Sequence, residues 1–314
     1  MNLKKIAGSL ALCVVAFGTL AACGNGGNGA EPANNEPANN VNANAPEADA
    51  GADVELGEVA VITREDGSGT RGAFTEIVGL LEDQNGQEVD TTTADAAVQN
   101  STNNVMTTVA GNPAAVGYIS LGSLNDTVKA VKVEGAEASA ETVTDGSYPV
   151  ARPFLLVTKG APEAGSVAED FLKFVASKEA QDIAAEEGYV PQEGGEYTPA
   201  DVSGQLAIAG STSVTPLMEK VAEAYKAHNP NADIQIQSNG STAGITAAIE
   251  GTAQIGMASR ELKAEEEAEG LEQYILALDG IAVIVNTENP IEDLTLDQIK
   301  NLFNGTTTDW AEVQ

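Results

Sequence analysis

Hydrophobic positions along the chain switch repeatedly between two periods: short β-branched runs, and stretches whose apolar residues recur every three or four positions. The first such switch is residues 59–74, VAVITREDGSGTRGAF. Val59, Val61 and Ile62 read as a short buried strand ending at Arg64. A Gly-rich turn follows, and a helix starting at Ser68 or Thr70 carries Phe74, Ile77, Val78 and Leu81 to about residue 83. After a polar stretch, the spacing of Val98, Val105, Met106 and Val109 predicts a helix over 96–110, closed by Gly111-Asn112-Pro113. Residues 115–120 and 128–133 read as strands, and 148–158 (YPVARPFLLVT) as an extended segment whose prolines disfavour helix. Amphipathic helices are predicted over 166–177 and 178–187, the second closed by Gly188.

Residues 192–203 are rich in Gly, Glu and Pro, lack either period, and read as a connector. Beyond them a strand at 206–209 passes through Gly210-Ser211-Thr212-Ser213 into a helix with Val214, Leu217, Met218, Val221 and Tyr225 on one face. A strand at 233–237 passes through Gly240-Ser241-Thr242 into a helix reaching 249, and a strand at 255–258 runs into Ser259-Arg260. A strand at 281–286 and a helix at 295–303 complete the pattern. Strands alternating with helices predict α/β lobes with mainly parallel sheets.

The junctions share a design: a strand, small hydroxylated and glycine residues, then a helix. Each brings unpaired backbone N–H groups and the positive end of a helix dipole to one point, which suits an anion. Arg64 adds a rigid fork of donors, and Ser68 and Thr70 add hydroxyls. In open α/β sheets these junctions lie at the carboxyl ends of the strands, where ligands bind. Read singly, each is equally an N-cap on an ordinary helix.

Composition narrows the partners. The 314 residues carry a formal net charge of −32, which argues against nucleic acid and anionic membrane surfaces. It does not exclude a small anion held by local dipoles and a buried cation, because exposed charges beyond about 10 Å are largely screened. At the start, Lys4 and Lys5 precede an apolar run over 6–20 and then Leu20-Ala21-Ala22-Cys23, a secretory signal over 1–22 too short for a stable membrane span. The segment around Cys23 resembles a bacterial lipobox, whose cysteine becomes the lipid-modified first residue; the plain alternative is a signal peptide with an unrelated cysteine. With Cys13 in the removed part, Cys23 stands alone and no internal disulfide forms. Residues 23–56, built of Gly, Asn, Ala, Pro and Glu, read as a disordered tether.

IAGSTSVTPLMEKVAEAY, SNGSTAGITAAIEGTAQIGMASREL, ALDGIAVIVN, LTLDQIKNLFNG and REDGSGTRGAF together resemble the extracytoplasmic phosphate-binding protein of the Pst-type ABC phosphate importer, over essentially all of 57–314. The resemblance implies a two-lobed periplasmic-binding-protein-like fold of type II, closing on inorganic phosphate, with no cofactor and no metal. It further implies an ABC permease as partner and lipid attachment to the cell membrane through Cys23. The order of segments differs from the family's, in which AGSTSVTP opens the mature protein and REDGSGT follows. The chain therefore resembles a circular permutant, the old ends joined near 192–203; a piece of a longer tandem protein would show the same order. As a permutant, one lobe comprises 57–142 plus 286–314 and the other runs unbroken over 143–285, with YPVARPFLLVT and DGIAVIVN as hinge crossings.

Carried over residue by residue, the resemblance implies phosphate contacts from Arg64, Ser68, Gly69, Thr70, Thr212, Ser213, Ser241 and Ser259, with Ser211 and Arg260 as secondary candidates. Ser259, with Arg260, falls where some members place an aspartate that accepts a proton from phosphate. Such a carboxylate rejects fully ionised sulfate by leaving a repelling, unpaired charge. Asp66 and Asp279 are the candidates for that role here, Asp66 being also readable as a residue that orients Arg64, and both as exposed turn aspartates. Another oxyanion, a phosphate sensor or a surface adhesin fits the same fold. An enzyme, such as a hydrolase using Ser68, does not: His228 is the only histidine and reads as solvent-facing, and Ser-His-Asp, metal-cluster and GxxxxGK[ST] patterns are missing. Trp310 and Tyr118 read as core.

Overall fold

The carboxyl ends of two groups of parallel strands frame the molecule. The computed structural model describes residues 56–84 and 87–313, so the signal segment, the tether and Cys23 lie outside the described residues. The strands are β1 (Ala60–Arg64), β2 (Leu81–Asp83), β3 (Glu88–Asp90), β4 (Ala97–Gln99), β5 (Ala115–Ser120), β6 (Lys129–Ala130), β7 (Lys132–Val133), β8 (Ala151–Lys159), β9 (Gly204–Gly210), β10 (Ala232–Ser238), β11 (Ile255–Ala258), β12 (Leu271–Val285) and β13 (Asp293–Leu294). The helices are α1 (Gly69–Ile77), α2 (Thr102–Ala110), α3 (Ala140–Thr144), α4 (Val167–Val175), α5 (Lys178–Glu186), α6 (Thr215–His228), α7 (Ser241–Glu250), α8 (Ala264–Glu267) and α9 (Leu296–Phe303). Among them no helix is long and apolar enough to cross a membrane.

The main sheet runs β10-β9-β11-β8-β12-β5-β1-β4. Its two ends are parallel, as the alternation predicts: β10, β9 and β11 on one side, β5, β1 and β4 on the other. The middle is not. β11 with β8, β8 with β12, and β12 with β5 all pair antiparallel. β12 explains the difference: its 15 residues pair first with β8 and then, from Ile281, with β5. Only 281–286 carries the β-branched run from which a strand is legible, so the first part of β12 is unforeseen.

Two other elements are corrected by local chemistry. The first helix stops at Val78, not near 83, because Gly79 takes a φ of +74° and closes a Schellman cap. There the Leu80 N–H donates to the Thr75 carbonyl at 2.8 Å and the Gly79 N–H to the Glu76 carbonyl at 3.2 Å. The predicted helix over 96–110 is a short strand, β4, paired with β1, followed by α2 from Thr102. Ser101 caps that helix by accepting from the Asn104 N–H, which releases residues 97–99 to the sheet. Elsewhere the local signals hold: β11 covers 255–258, and Ser166, Ser177 and Thr295 cap α4, α5 and α9.

The buried side chains form separate cores. One draws on residues 154–277 and gathers Phe154, Phe171, Phe174, Leu217 and Tyr225. A second gathers Phe74, Tyr118, Ile299, Phe303 and Trp310. In the latter, Phe74 stacks on Tyr118 with ring centroids 4.0 Å apart, so Tyr118 and Trp310 are core residues. β12 contributes to both, through Leu276 and Ala277 to the first and Ile281, Val283 and Val285 to the second. Each fully buried side chain of this size stabilises its core by about 1.5–3 kcal/mol, so each core is held by its own packing.

Candidate functional site

β1 ends in Arg64, whose side chain is buried although it carries the charge of a guanidinium. Four acceptors hold its donors. Nε donates to Glu65 Oε2 at 2.7 Å and Nη2 to Glu65 Oε1 at 2.8 Å. Nη2 also donates to Thr212 Oγ1 at 2.9 Å, and Nη1 to Thr102 Oγ1 at 3.4 Å. The backbone beneath is fixed as well, since the Arg64 N–H donates to Tyr118 Oη and Arg71 Nη1 donates to the Arg64 carbonyl. Such a cation is aimed before any ligand arrives.

Hydroxyls from segments far apart in the chain meet in front of it. Thr70 shares a hydrogen bond of 2.8 Å with Ser213, and Thr102 shares one of 3.1 Å with the same Ser213 and one of 3.4 Å with Thr212. Ser211 Oγ donates to Ser259 Oγ at 2.9 Å, and Ser241 and Ser259 share a 3.3 Å bond. Gly69 seals the two groups together: a Cβ there would overlap the Ser241 hydroxyl and lie 2.7 Å from Ser259 Oγ. Ser68 caps α1 by accepting from the Arg71 N–H, which leaves the N–H groups of Gly69 and Thr70 without intrahelical acceptors. α7 begins beside them without a side-chain cap. The crevice thus offers a buried cation, helix N-termini and neutral hydroxyls, the donor set for a small tetrahedral oxyanion.

The comparisons with known proteins agree with that chemistry. A family described as "PBP superfamily domain" matches residues 40–179 and 195–314. The phosphate-binding protein PstS 2 of Streptococcus pneumoniae serotype 4 is 44% identical over 316 residues, covering all of both chains. PstS 2 of Streptococcus agalactiae serotype V is 45% identical over 259 residues, covering 82% of this chain and 88% of that protein. The chain belongs to the PstS family of phosphate-binding proteins. A crystal structure of the phosphate-binding protein of a phosphate ABC transporter from S. pneumoniae TIGR4 superposes with a TM-score of 0.67 at 46% identity, covering 82% of this chain and all of that one.

In this PstS-family chain Arg64, Ser68, Gly69, Thr70, Ser211, Thr212, Ser213, Ser241 and Ser259 all lie in the crevice. Three candidates lie elsewhere. Asp66 is fully exposed and sits 3.4 Å from Arg71, so Glu65, not Asp66, orients Arg64. Arg260 is buried, but Nη1 and Nη2 pair with Glu266 at 2.7 and 2.8 Å, Nη1 also donates to the Glu261 carbonyl at 2.8 Å, and Nη2 reaches Thr242 Oγ1 at 3.3 Å. Burial pushes the Glu266 carboxyl up, but the Arg260 pairing together with the Lys263 N–H and charge holds it below its ordinary range. Asp279 is no exposed turn residue: it is buried in β12, paired with Arg152 and behind the hydroxyls instead of among them.

Sequence reasoning missed Thr102, Glu65 and Arg152. Thr102 is recoverable from the Ser101-Thr102 pair as a helix start, but a helix drawn from 96 hides that start inside it. Glu65 reads as one more turn carboxylate until its geometry against Arg64 is seen. Arg152 is embedded in an apolar extended run, and nothing local marks what it touches.

Proposed function

We propose that the chain captures inorganic phosphate in this crevice and delivers it to the membrane permease of an ABC importer, outside the cytoplasm. The observation that carries the reading is the buried Arg64 fork facing hydroxyls from β9–α6, α7, β11, α1 and α2. Arg64, Ser68, Gly69, Thr70, Thr102, Ser211, Thr212, Ser213, Ser241 and Ser259 are its proposed contacts. Phosphate would exchange hydroxyl-to-hydroxyl bonds for charge-assisted ones, roughly twice as strong as neutral pairs. Binding, not catalysis, is the activity of such a receptor.

A division into lobes of 57–142 plus 286–314 and of 143–285 is part of the reading, with β8 and β12 as the crossings. The two cores favour two lobes with shifted bounds, because Val143, Tyr148, Val150, Val190, Ile281, Val283 and Val285 pack with the core of Phe74 and Phe303. The circularly permuted order is supported by the contact between residues near the described ends: the Trp310 N–H donates to the Gly57 carbonyl at 3.0 Å and the Val59 N–H to the Thr308 carbonyl at 2.9 Å. Attachment through a lipid on Cys23 fits a receptor that must stay near its permease.

Isothermal titration of the chain with phosphate tests the function. Tight binding that Arg64→Ala abolishes is the expected result. No heat with phosphate overturns the reading, and equal displacement by sulfate reassigns the crevice to oxyanions in general.

A further inference from the structure

Behind the hydroxyls runs a buried polar chain that phosphate contact alone does not require. It starts at the end of β5, where Ser120 Oγ donates to Asp279 Oδ1 at 2.9 Å and the Leu121 N–H donates to the same oxygen at 3.1 Å. Asp279, on β12, accepts on Oδ2 from Nη2 of Arg152 at 3.0 Å and from Nε at 3.2 Å. Arg152, on β8, directs its remaining Nη1 to the Ser259 carbonyl at 2.9 Å. Ser259 is held from its other side too, its N–H donating to Ser241 Oγ at 3.1 Å. Ser120, Asp279, Arg152 and Ser259 are 0, 1, 4 and 0% exposed.

A charge pair this deep is a poor way to gain stability. Removing two ions from water costs more than their mutual attraction reliably returns, and apolar residues of similar volume hold such a position as well or better. What the pair adds is direction. The guanidinium is planar, so fixing Nε and Nη2 on one carboxylate aims Nη1 at one point, and that point is the peptide of a crevice residue. The chain also passes through both β8 and β12, and links the end of β5 to the end of β11.

We propose that Arg152 and Asp279 are positioning residues of the anion site: they set Ser259 for the ligand and tie its placement to the end of β5. The proposal rests on the phosphate-binding reading above.

The test is a set of phosphate titrations and ligand-free melts on the full chain. Arg152→Met weakens phosphate binding by about tenfold or more, the loss expected when one or two aligned hydrogen bonds fail. Arg152→Met with Asp279→Leu removes both charges; its melting temperature recovers towards that of the parent while its affinity stays low. Ser259→Ala weakens binding too, and Arg152→Met with Ser259→Ala is no weaker than the worse single variant to within about twofold, because both act on one residue. Affinity that recovers together with stability, or losses that multiply in the Ser259 pair, overturns the proposal. If the two-charge variant does not fold, Asp279→Asn with Ser259→Ala completes the same cycle. Absence of phosphate binding by the parent chain refutes the underlying function, a result separate from any outcome among the variants.

Discussion

Gly69→Ala is the sharpest perturbation of the crevice. Gly69 is the first residue of α1 and has no left-handed φ, so alanine suits the helix and favours it by up to about 1 kcal/mol. The added methyl has no room across the crevice. It would overlap Ser241 Oγ, lie 2.7 Å from Ser259 Oγ and 2.9 Å from Ser241 Cβ, closer than a real Cβ approaches any atom. The two sides must separate by several tenths of an ångström or more, which lengthens hydroxyl contacts already at 2.8–3.4 Å. Overpacking of this kind costs about 1–3 kcal/mol, and at 1.4 kcal/mol per tenfold this weakens phosphate by roughly 5- to 150-fold. Titration calorimetry reads the affinity and a ligand-free melt reads the fold. In the two-lobed reading the sides part when no phosphate is bound, so the ligand-free melting temperature should stay level or rise, since neither core contains Gly69. Unchanged affinity would show that the bound crevice does not close on Gly69. A ligand-free melting temperature lowered by more than about 2–4 °C, the equivalent of 1 kcal/mol at this size, would show that the two sides are permanently packed together.

Thr102→Val keeps the shape of a side chain that bonds Ser213, Thr212 and Arg64, and removes its hydroxyl. The loss of about 1–2 kcal/mol predicts phosphate binding roughly 5- to 30-fold weaker by calorimetry. Asp66→Asn touches only an exposed contact with Arg71 and should leave the dissociation constant within about twofold; a larger change would place Asp66 in the site after all. Burial pushes Asp279 up to about 6 from an ordinary 3.8, with Arg152, Ser120 and the Leu121 N–H opposing. Between these values the folded chain keeps a proton that the unfolded chain has released. This group therefore favours the fold most below about pH 4, and the contribution is lost as pH rises through about 6. Asp279→Asn removes that dependence, so the melting temperature of the parent rises relative to that of the variant as pH is lowered from 7 to 5, and a constant difference would contradict the assignment.

Residues 59–74 alone determined a strand, an arginine, a glycine turn and a capped helix, because β-branching, glycine and a serine cap act within a few residues of themselves. For the same reason β11 and the helix starts near 166, 178 and 295 were legible. The type of donor at the site was legible too, since the Ser, Thr and Gly residues that suit an anion are also those that start helices. Only the tertiary structure decided which donors meet. Thr70 and Ser213 are 143 residues apart, as Arg64 and Thr212 are 148 apart, and no local period encodes such a contact. The same limit hid the first part of β12, whose strand character comes from β8 alongside it, and the exchange of Asp66 for Glu65 beside Arg64, which depends on where two neighbouring side chains point. It also hid Arg152, because the worth of a buried charge lies wholly in its partners, and these are supplied by other strands.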